Sequence, residues 1–344
     1  IQINWEKRSL QAFADRPIDQ MVDEYDLMVI DYPHVGEVSA KGLLQKFDVD
    51  EYQSELNLLK EQSVGLSHQS YNIDGHQWAL AIDAATQVCC FRKDLISSLP
   101  QSWNELSNLA QQNKVLWPLK PVHAISSFYS IYNNITDEFN PKDKNFINKE
   151  FGIKTLEMMK HITDHLISDC FIMDPIKTAE ILSSTDDFYY SPYTYGFSNY
   201  SRENFRENIL TYGNVMDLSN KGPKGTHLGG TGIAISNKSY HKDLALEYSY
   251  WIAGADCQKS IFYKSGGQPG NSIAWENQQI NDECNGFFAN TRLTLNQAWI
   301  RPRHNGYMKF QDESGEIINE YLQSNTNEDI IIDKLKIMYA ESFE

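Results

Sequence analysis

The chain has 344 residues, 41% hydrophobic and 12% aromatic, enough for a large core and within the size range of two domains. Its 30 basic and 46 acidic side chains leave a formal charge of −16, which argues against nucleic acid or an anionic membrane as the main partner. No run of about 18 apolar residues reads as a membrane span, and no basic-then-apolar segment reads as a secretion signal. The opening "IQINWEKRSL" starts without Met and reads as already processed or trimmed.

Taken in order, "YDLMVID" (25–31) is an apolar run ending in a carboxylate and followed by "YPHVG", the pattern of a buried strand entering a loop. "HQWALAID" (76–83) repeats it. Cys89 and Cys90 lie in the apolar run "TQVCCF" and read as small buried hydrophobes; the five cysteines have no metal-type spacing. "DDFYYSPYTYGFSNYSR" (186–202) crowds aromatic residues among turn formers without a helical or strand period, so it reads as an aromatic loop. Flat rings with hydroxyl rims suit sugars, whose C–H faces are apolar and whose edges are hydroxyls.

"TGIAIS" (231–236) is a third strand, and in the segment behind it Leu244, Tyr248, Trp251 and Ile252 form one helical stripe. Ser239 is the expected N-cap and Gly266–Gly267 the expected stop. "WIRPRHNGY" (299–307) sets Arg301, a natural bidentate partner for a carboxylate or vicinal hydroxyls, in a proline-stiffened turn; a structural ion pair would explain it as well. Strands alternating with helices give an α/β architecture. Repeats, low-complexity tracts and flexible linkers are absent from the sequence, so two domains would be joined by ordered strands.

The sequence lacks GxGxxG after a strand, GxxxxGK[ST], GxSxG and HExxH, and "HLGGTG" precedes a strand instead of opening a helix. His34, His68, His76, His123 and His227 are scattered without ligand spacing, so neither a metal nor a cofactor is expected. Asp31, Tyr32 and His34 follow one strand, and Asp83 and Thr86 follow the next, where open α/β sheets collect ligands.

The ordered series "WEKRSLQAFADRPIDQMVDEYDLMVIDYPHVGEV", "GHQWALAIDAATQVCCFRKDLISSLPQSWNEL", "VLWPLKPVHAISSFYSI" and "GGTGIAISNKSYHKDLALEYSYWIAG…GGQPG…WIRPRHNGY" resembles the family 1 extracellular solute-binding proteins, related in architecture to maltose-binding protein. The resemblance implies a two-lobed, type II periplasmic-binding-protein-like fold. Each lobe would be a mixed or mostly parallel sheet flanked by helices, with the ligand cleft between lobes. Lobe 1 would comprise 1–85 and 228–295, and lobe 2 would comprise 86–227 and 296–344, with crossovers near 83–90, 224–231 and 293–302. Family members begin with a further strand and helix, so the resemblance also implies that a first strand is missing from lobe 1.

Carried over position by position, the implied ligand contacts are Trp5, Arg8, Asp31, Tyr32, His34, Asp83, Thr86, Ser126, Ser127, Tyr129, Tyr190, Tyr195, Gly229, Gly230, Thr231 and Arg301. The implied role is a monomer, periplasmic or extracellular and membrane-associated, that hands a small polar solute, most simply a sugar, to ABC permease subunits and makes no bonds itself. Two rivals stay open. Asp31 and Asp83 could serve as the carboxylate pair of a glycan-acting enzyme, and an acidic, aromatic cleft could hold a polyamine or another cation, which Arg301 would oppose.

Overall fold

A computed structural model describes residues 2–7 and 18–344. Two main sheets are built from β1 (Leu27–Asp31), β2 (Leu80–Ala81), β3 (Ala85–Phe91), β4 (Tyr190–Tyr195), β5 (Thr211–Gly213), β6 (Leu228–Gly229) and β7 (Thr231–Ile235). The principal helices are α1 (Trp103–Gln111), α2 (Pro121–Ile135), α3 (Lys149–Thr163), α4 (Lys242–Ala253), α5 (Phe287–Asn296), α6 (Tyr307–Leu322) and α7 (Glu328–Glu341). The chain forms two compact units, Ile1–Ala84 with Gly230–Ala274 and Ala85–Gly229 with Trp275–Glu344.

In the first unit the sheet order is β1–β7–β2. β1 pairs antiparallel with β7, from Leu27 opposite Ile235 to Asp31 opposite Thr231. The alternation of "LMVID" buries Met28 and Ile30 on one face and leaves Leu27 and Val29 packed against the apolar cluster of Leu80, Ile233 and Ile235 on the other. α4 covers this cluster with a face that overlaps the sequence stripe only in part: Ile252 is buried in it and Tyr248 packs against it. Ala245, Leu246, Ser249, Tyr250 and Ala253 are buried, whereas Leu244 and Trp251 remain 43% and 48% exposed. Small side chains let the helix approach the sheet, and Tyr250 anchors it by donating to the Phe47 carbonyl (2.7 Å) and stacking on Tyr52.

The ends of α4 differ from expectation too. Ser239 lies ahead of the first turn and accepts from the His241 amide (3.0 Å). The helix stops at Gly254; Gly266–Gly267 instead follows a second helical run that restarts at Ala255.

In the second unit β3 is central, flanked by β4 and β5 and extended by β6. The aromatic segment expected to be a loop contains β4, a strand buried almost end to end. A strand covered on both faces loses the period of two that betrays a half-buried one, which is why sequence periodicity missed it. Trp117 stacks on Tyr193 of β4 at 5.7 Å and belongs to a core with Phe128, Leu156, Ile318 and Leu335, drawn from α2, α3, α6 and α7.

The structure differs from the sequence reading in one boundary and in strand direction, where mixed or mostly parallel sheets were expected. Residues 275–295 pack with the second unit and not the first, because Phe287 of α5 meets Tyr212 of β5 (5.1 Å) and Asn214 Oδ1 accepts from both the amide and the hydroxyl of Thr294 (2.9 Å each). The ladders of both main sheets are antiparallel among the described residues, with parallel pairing confined to single bridges such as His227 with Trp299. The returning strand β7 and the strands around β3 run against their neighbours. All five cysteines are free and buried, and burial pushes the Cys89 thiol up to about 12.

Candidate functional site

The second unit gathers polar and aromatic side chains where four segments meet: the first turns of α2, the end of β4, the stretch before β6 and the stretch after α5. Two of these segments are zipped together by backbone. Trp299 donates to Thr226 O (3.1 Å), Leu228 donates to Trp299 O (2.8 Å), and the Trp299 indole N–H donates to Gly225 O (2.9 Å). Thr86 Oγ1 ties β3 to the same stretch, lying 2.7 Å from Thr226 Oγ1 and donating to His227 O (2.9 Å). The imidazole of His227 is thereby held among Trp299 (5.7 Å), Tyr195 (6.1 Å) and Tyr129 (6.4 Å), ring centre to ring centre. His123, in the first turn of α2, lies 6.2 Å from Tyr195.

Electrostatics in this cluster follow from burial. His227, 2% exposed, is held well below the usual imidazole range first by burial, then by the neighbouring Arg301 cation and His123. Burial and Lys120 lower His123 to about 4 against an opposing pull from Asp174. Both rings are therefore neutral at pH 7, and the Nδ1 of each is buried without a hydrogen-bond partner among the described residues. Arg301 is 6% exposed and donates to the Gln311 side-chain oxygen (3.0 Å), a neutral partner.

Of the residues expected in this unit, Tyr195, Gly229, Ser126 and Arg301 lie at or beside the cluster. A Cβ on Gly229 would sit 2.7 Å from the Tyr195 ring, so this glycine lets the ring lie against the backbone. Thr86, Ser127, Tyr129 and Tyr190 are buried, and their side chains are committed internally. Ser127 Oγ accepts from Gln87 (3.1 Å) and from the Trp117 indole (3.0 Å). Tyr129 packs edge-on to Phe139 and Phe146, and Tyr190 packs within the core on β4. These four are buried, with their side chains engaged in holding the unit together. His123, His227 and Trp299 were not among the expected contacts; separated by scores of residues, they leave no local spacing to read.

In the first unit, Asp31 and Thr231 face each other at the end of the β1–β7 ladder, and Thr231 O accepts from the Ile82 and Asp83 amides (3.0 and 3.1 Å). Asp31 accepts from the Tyr32 amide (2.8 Å), capping the short turn that carries His34. Tyr32 is fully buried against Tyr71, so its side chain is a core element. Gly230 has φ +103°, and a Cβ there would lie 2.4 Å from the Asp83 carbonyl, so only glycine fits where the chain passes into β7. Burial lifts the Asp83 carboxyl to about 7 although the residue keeps some solvent contact.

Trp5 shares a groove with one of these residues, Thr231. It is 51% exposed, with its ring 6.3 Å from Tyr248, in a groove of about 850 Å3 also lined by Tyr25, Met28, Val29 and Leu244. Arg8 lies outside the described residues. Among the described residues no group of three or more His, Cys, Asp or Glu could hold a metal, and no helix is long and apolar enough to cross a membrane.

Residues 18–283 match the profile of the bacterial extracellular solute-binding proteins. The chain belongs to that family. No curated protein matches it in sequence. Among solved structures it is similar to the Agrobacterium radiobacter K84 ABC transporter solute-binding protein in complex with ribitol (TM-score 0.79, 17% identity, 96% of this chain and 88% of that one). It is also similar to maltose-bound MalE3 of T. maritima (0.76, 14%, 94% and 87%) and to the Agrobacterium vitis S4 solute-binding protein with D-mannitol (0.72, 13%, 98% and 90%). The fold of this solute-binding protein is accordingly that of the two-lobed periplasmic receptors, as the sequence resemblance implied.

Proposed function

We propose that this solute-binding protein is the receptor of an ABC importer and captures a sugar or sugar alcohol for delivery to a membrane permease. The observation that carries the reading is the second-unit cluster, in which Tyr195 and Trp299 offer partly exposed ring surface beside two neutral imidazoles with unused nitrogens. Rings match the C–H faces of a sugar, and polar atoms match its hydroxyls. The solutes of the ribitol-, maltose- and mannitol-bound neighbours support the same class. In the first unit Asp31, His34, Asp83, Gly230 and Thr231 remain the proposed contacts, their carboxylates acting as hydroxyl acceptors and not as catalysts. A periplasmic or extracellular site of action follows from the same reading.

A thermal-shift screen of the purified protein against neutral sugars, alditols, sugar acids and polyamines tests it. Solute at about 100 times its dissociation constant adds about 2.7 kcal/mol, a shift that is readily seen. We expect a selective rise with a neutral sugar or alditol, and that solute recovered unchanged after denaturation. A rise with polyamines alone would sink the sugar reading, and conversion of the solute would replace the receptor with an enzyme.

A further inference from the structure

Ser126 and His227 together fix a tautomer. Ser126 Oγ donates its only hydrogen to the Val122 carbonyl at 2.6 Å, one turn back on α2. The same oxygen lies 3.3 Å from His227 Nε2, and with its hydrogen already used it can only accept there. Nε2 therefore carries the ring proton, which leaves Nδ1 with a bare lone pair. That nitrogen is buried and has no donor among the described residues. A buried acceptor left unsatisfied is costly, so its retention points to a donor supplied from outside the chain. The backbone that carries the ring is fixed by its pairing with Trp299 and by Thr86, which donates to its carbonyl.

Resting on the sugar-receptor reading, we infer that His227 Nδ1 accepts the hydrogen of one solute hydroxyl and that this contact selects which hydroxyl pattern the protein takes up. Neutral imidazole can accept but not donate at Nδ1, so the group placed there must bring a hydrogen. A hydroxyl does so, whereas an ether oxygen, a deoxy carbon or an ionised carboxylate does not. Tyr195 and Trp299 would hold the apolar face of the same solute beside it. His123, whose Nδ1 is also unpartnered, borders the cluster from α2 and Arg301 borders it from the stretch after α5.

The test uses the intact protein and the solute found among ribitol, D-mannitol and maltose, followed by the single-deoxy analogues of whichever binds, measured calorimetrically on wild type, His227→Phe and His227→Asn. We expect one deoxy analogue to lose about tenfold in affinity on wild type and nothing further on His227→Phe, while His227→Asn, whose amide oxygen can stand near Nδ1, keeps the parent solute within about threefold. Equal losses for every analogue on wild type and His227→Phe overturn the inference and leave the receptor reading intact. Binding of no neutral sugar or alditol in the thermal-shift panel overturns both. Should His227→Phe fail to fold, 15N spectra of wild-type protein with labelled histidine decide: an unprotonated His227 Nδ1 whose resonance moves on adding solute is expected, and a protonated Nδ1 in the free protein overturns the assignment.

Discussion

The two units differ in where they leave apolar and polar groups unsatisfied. In the first, apolar groups stay in contact with water: Leu244, Tyr248 and Trp5 line an open groove beside β1, which has β7 as its only sheet neighbour among the described residues. In the second an extensive apolar core forms, with a few apolar side chains such as Ile172 left exposed, and the Nδ1 atoms of His123 and His227 are among several buried polar atoms without a partner among the described residues. Exposed apolar area costs little locally and marks a place where more chain or protein could pack. A buried polar atom without a partner costs more per atom, and so points more sharply to a ligand.

The largest expected effect sets one indole from each region against the other. Trp117→Ala empties a fully buried, stacked site in the second unit and should cost about 3–5 kcal/mol in denaturant unfolding. Trp251→Ala, half-exposed on α4, should cost about 1–2 kcal/mol, roughly half of that transfer energy. Similar losses at the two positions would mean that the α4 face is covered in solution, and the contrast between the units would fall.

A second effect isolates the one strongly perturbed carboxyl of the first unit's strand ends. Burial raises Asp83 from 3.8 to about 7, so the folded state holds this proton more tightly than the unfolded chain does. The stabilisation is complete below about pH 4 and is lost as pH rises through 7, by at most about 4 kcal/mol. Asp83→Asn cannot ionise and escapes that loss. Its stability relative to wild type should therefore grow between pH 4.5 and pH 7.5; a difference that stays constant with pH would show that the carboxyl is hydrated and its pKa ordinary.

How much of this was legible beforehand depended on whether a pattern stayed local. β1 and β7 could be read because each is short, apolar and bounded by turn residues, and the ordered series of segments carried the fold. β4 could not, because a strand covered on both faces shows no alternation, and its tyrosines looked like a loop until Trp117 and β3 were seen packed around them. The site divided in the same way. Tyr195, Gly229 and Gly230 were reachable from the glycine cluster and the aromatic run, but the pairing of Ser126 with His227 joins residues 101 positions apart. Ser127 and Tyr129 were drawn in because helix α2 was read as a segment without assigning its faces; burial turns both into the core.

The smallest effect tests the rotation of α4, where sequence and structure disagree most directly. Leu244 and Leu246 are the same residue type two positions apart, on different faces: the first is 43% exposed in the groove and the second is buried against β7 and its neighbours. Leu244→Ser should therefore cost about 1 kcal/mol or less, while Leu246→Ser, which strands a hydroxyl in the core, should cost about 3 kcal/mol. Were the two losses reversed, the Leu244 and Trp251 edge of the stripe would be buried with Ile252 after all. The small residues Ala245, Ser249 and Ala253 would then face water, and the close approach of helix to sheet would lose its explanation. A low cost at Leu244 with a high one at Leu246 instead assigns the close packing to the small-residue face, and leaves Leu244 as apolar surface that contributes little to the first unit's own stability.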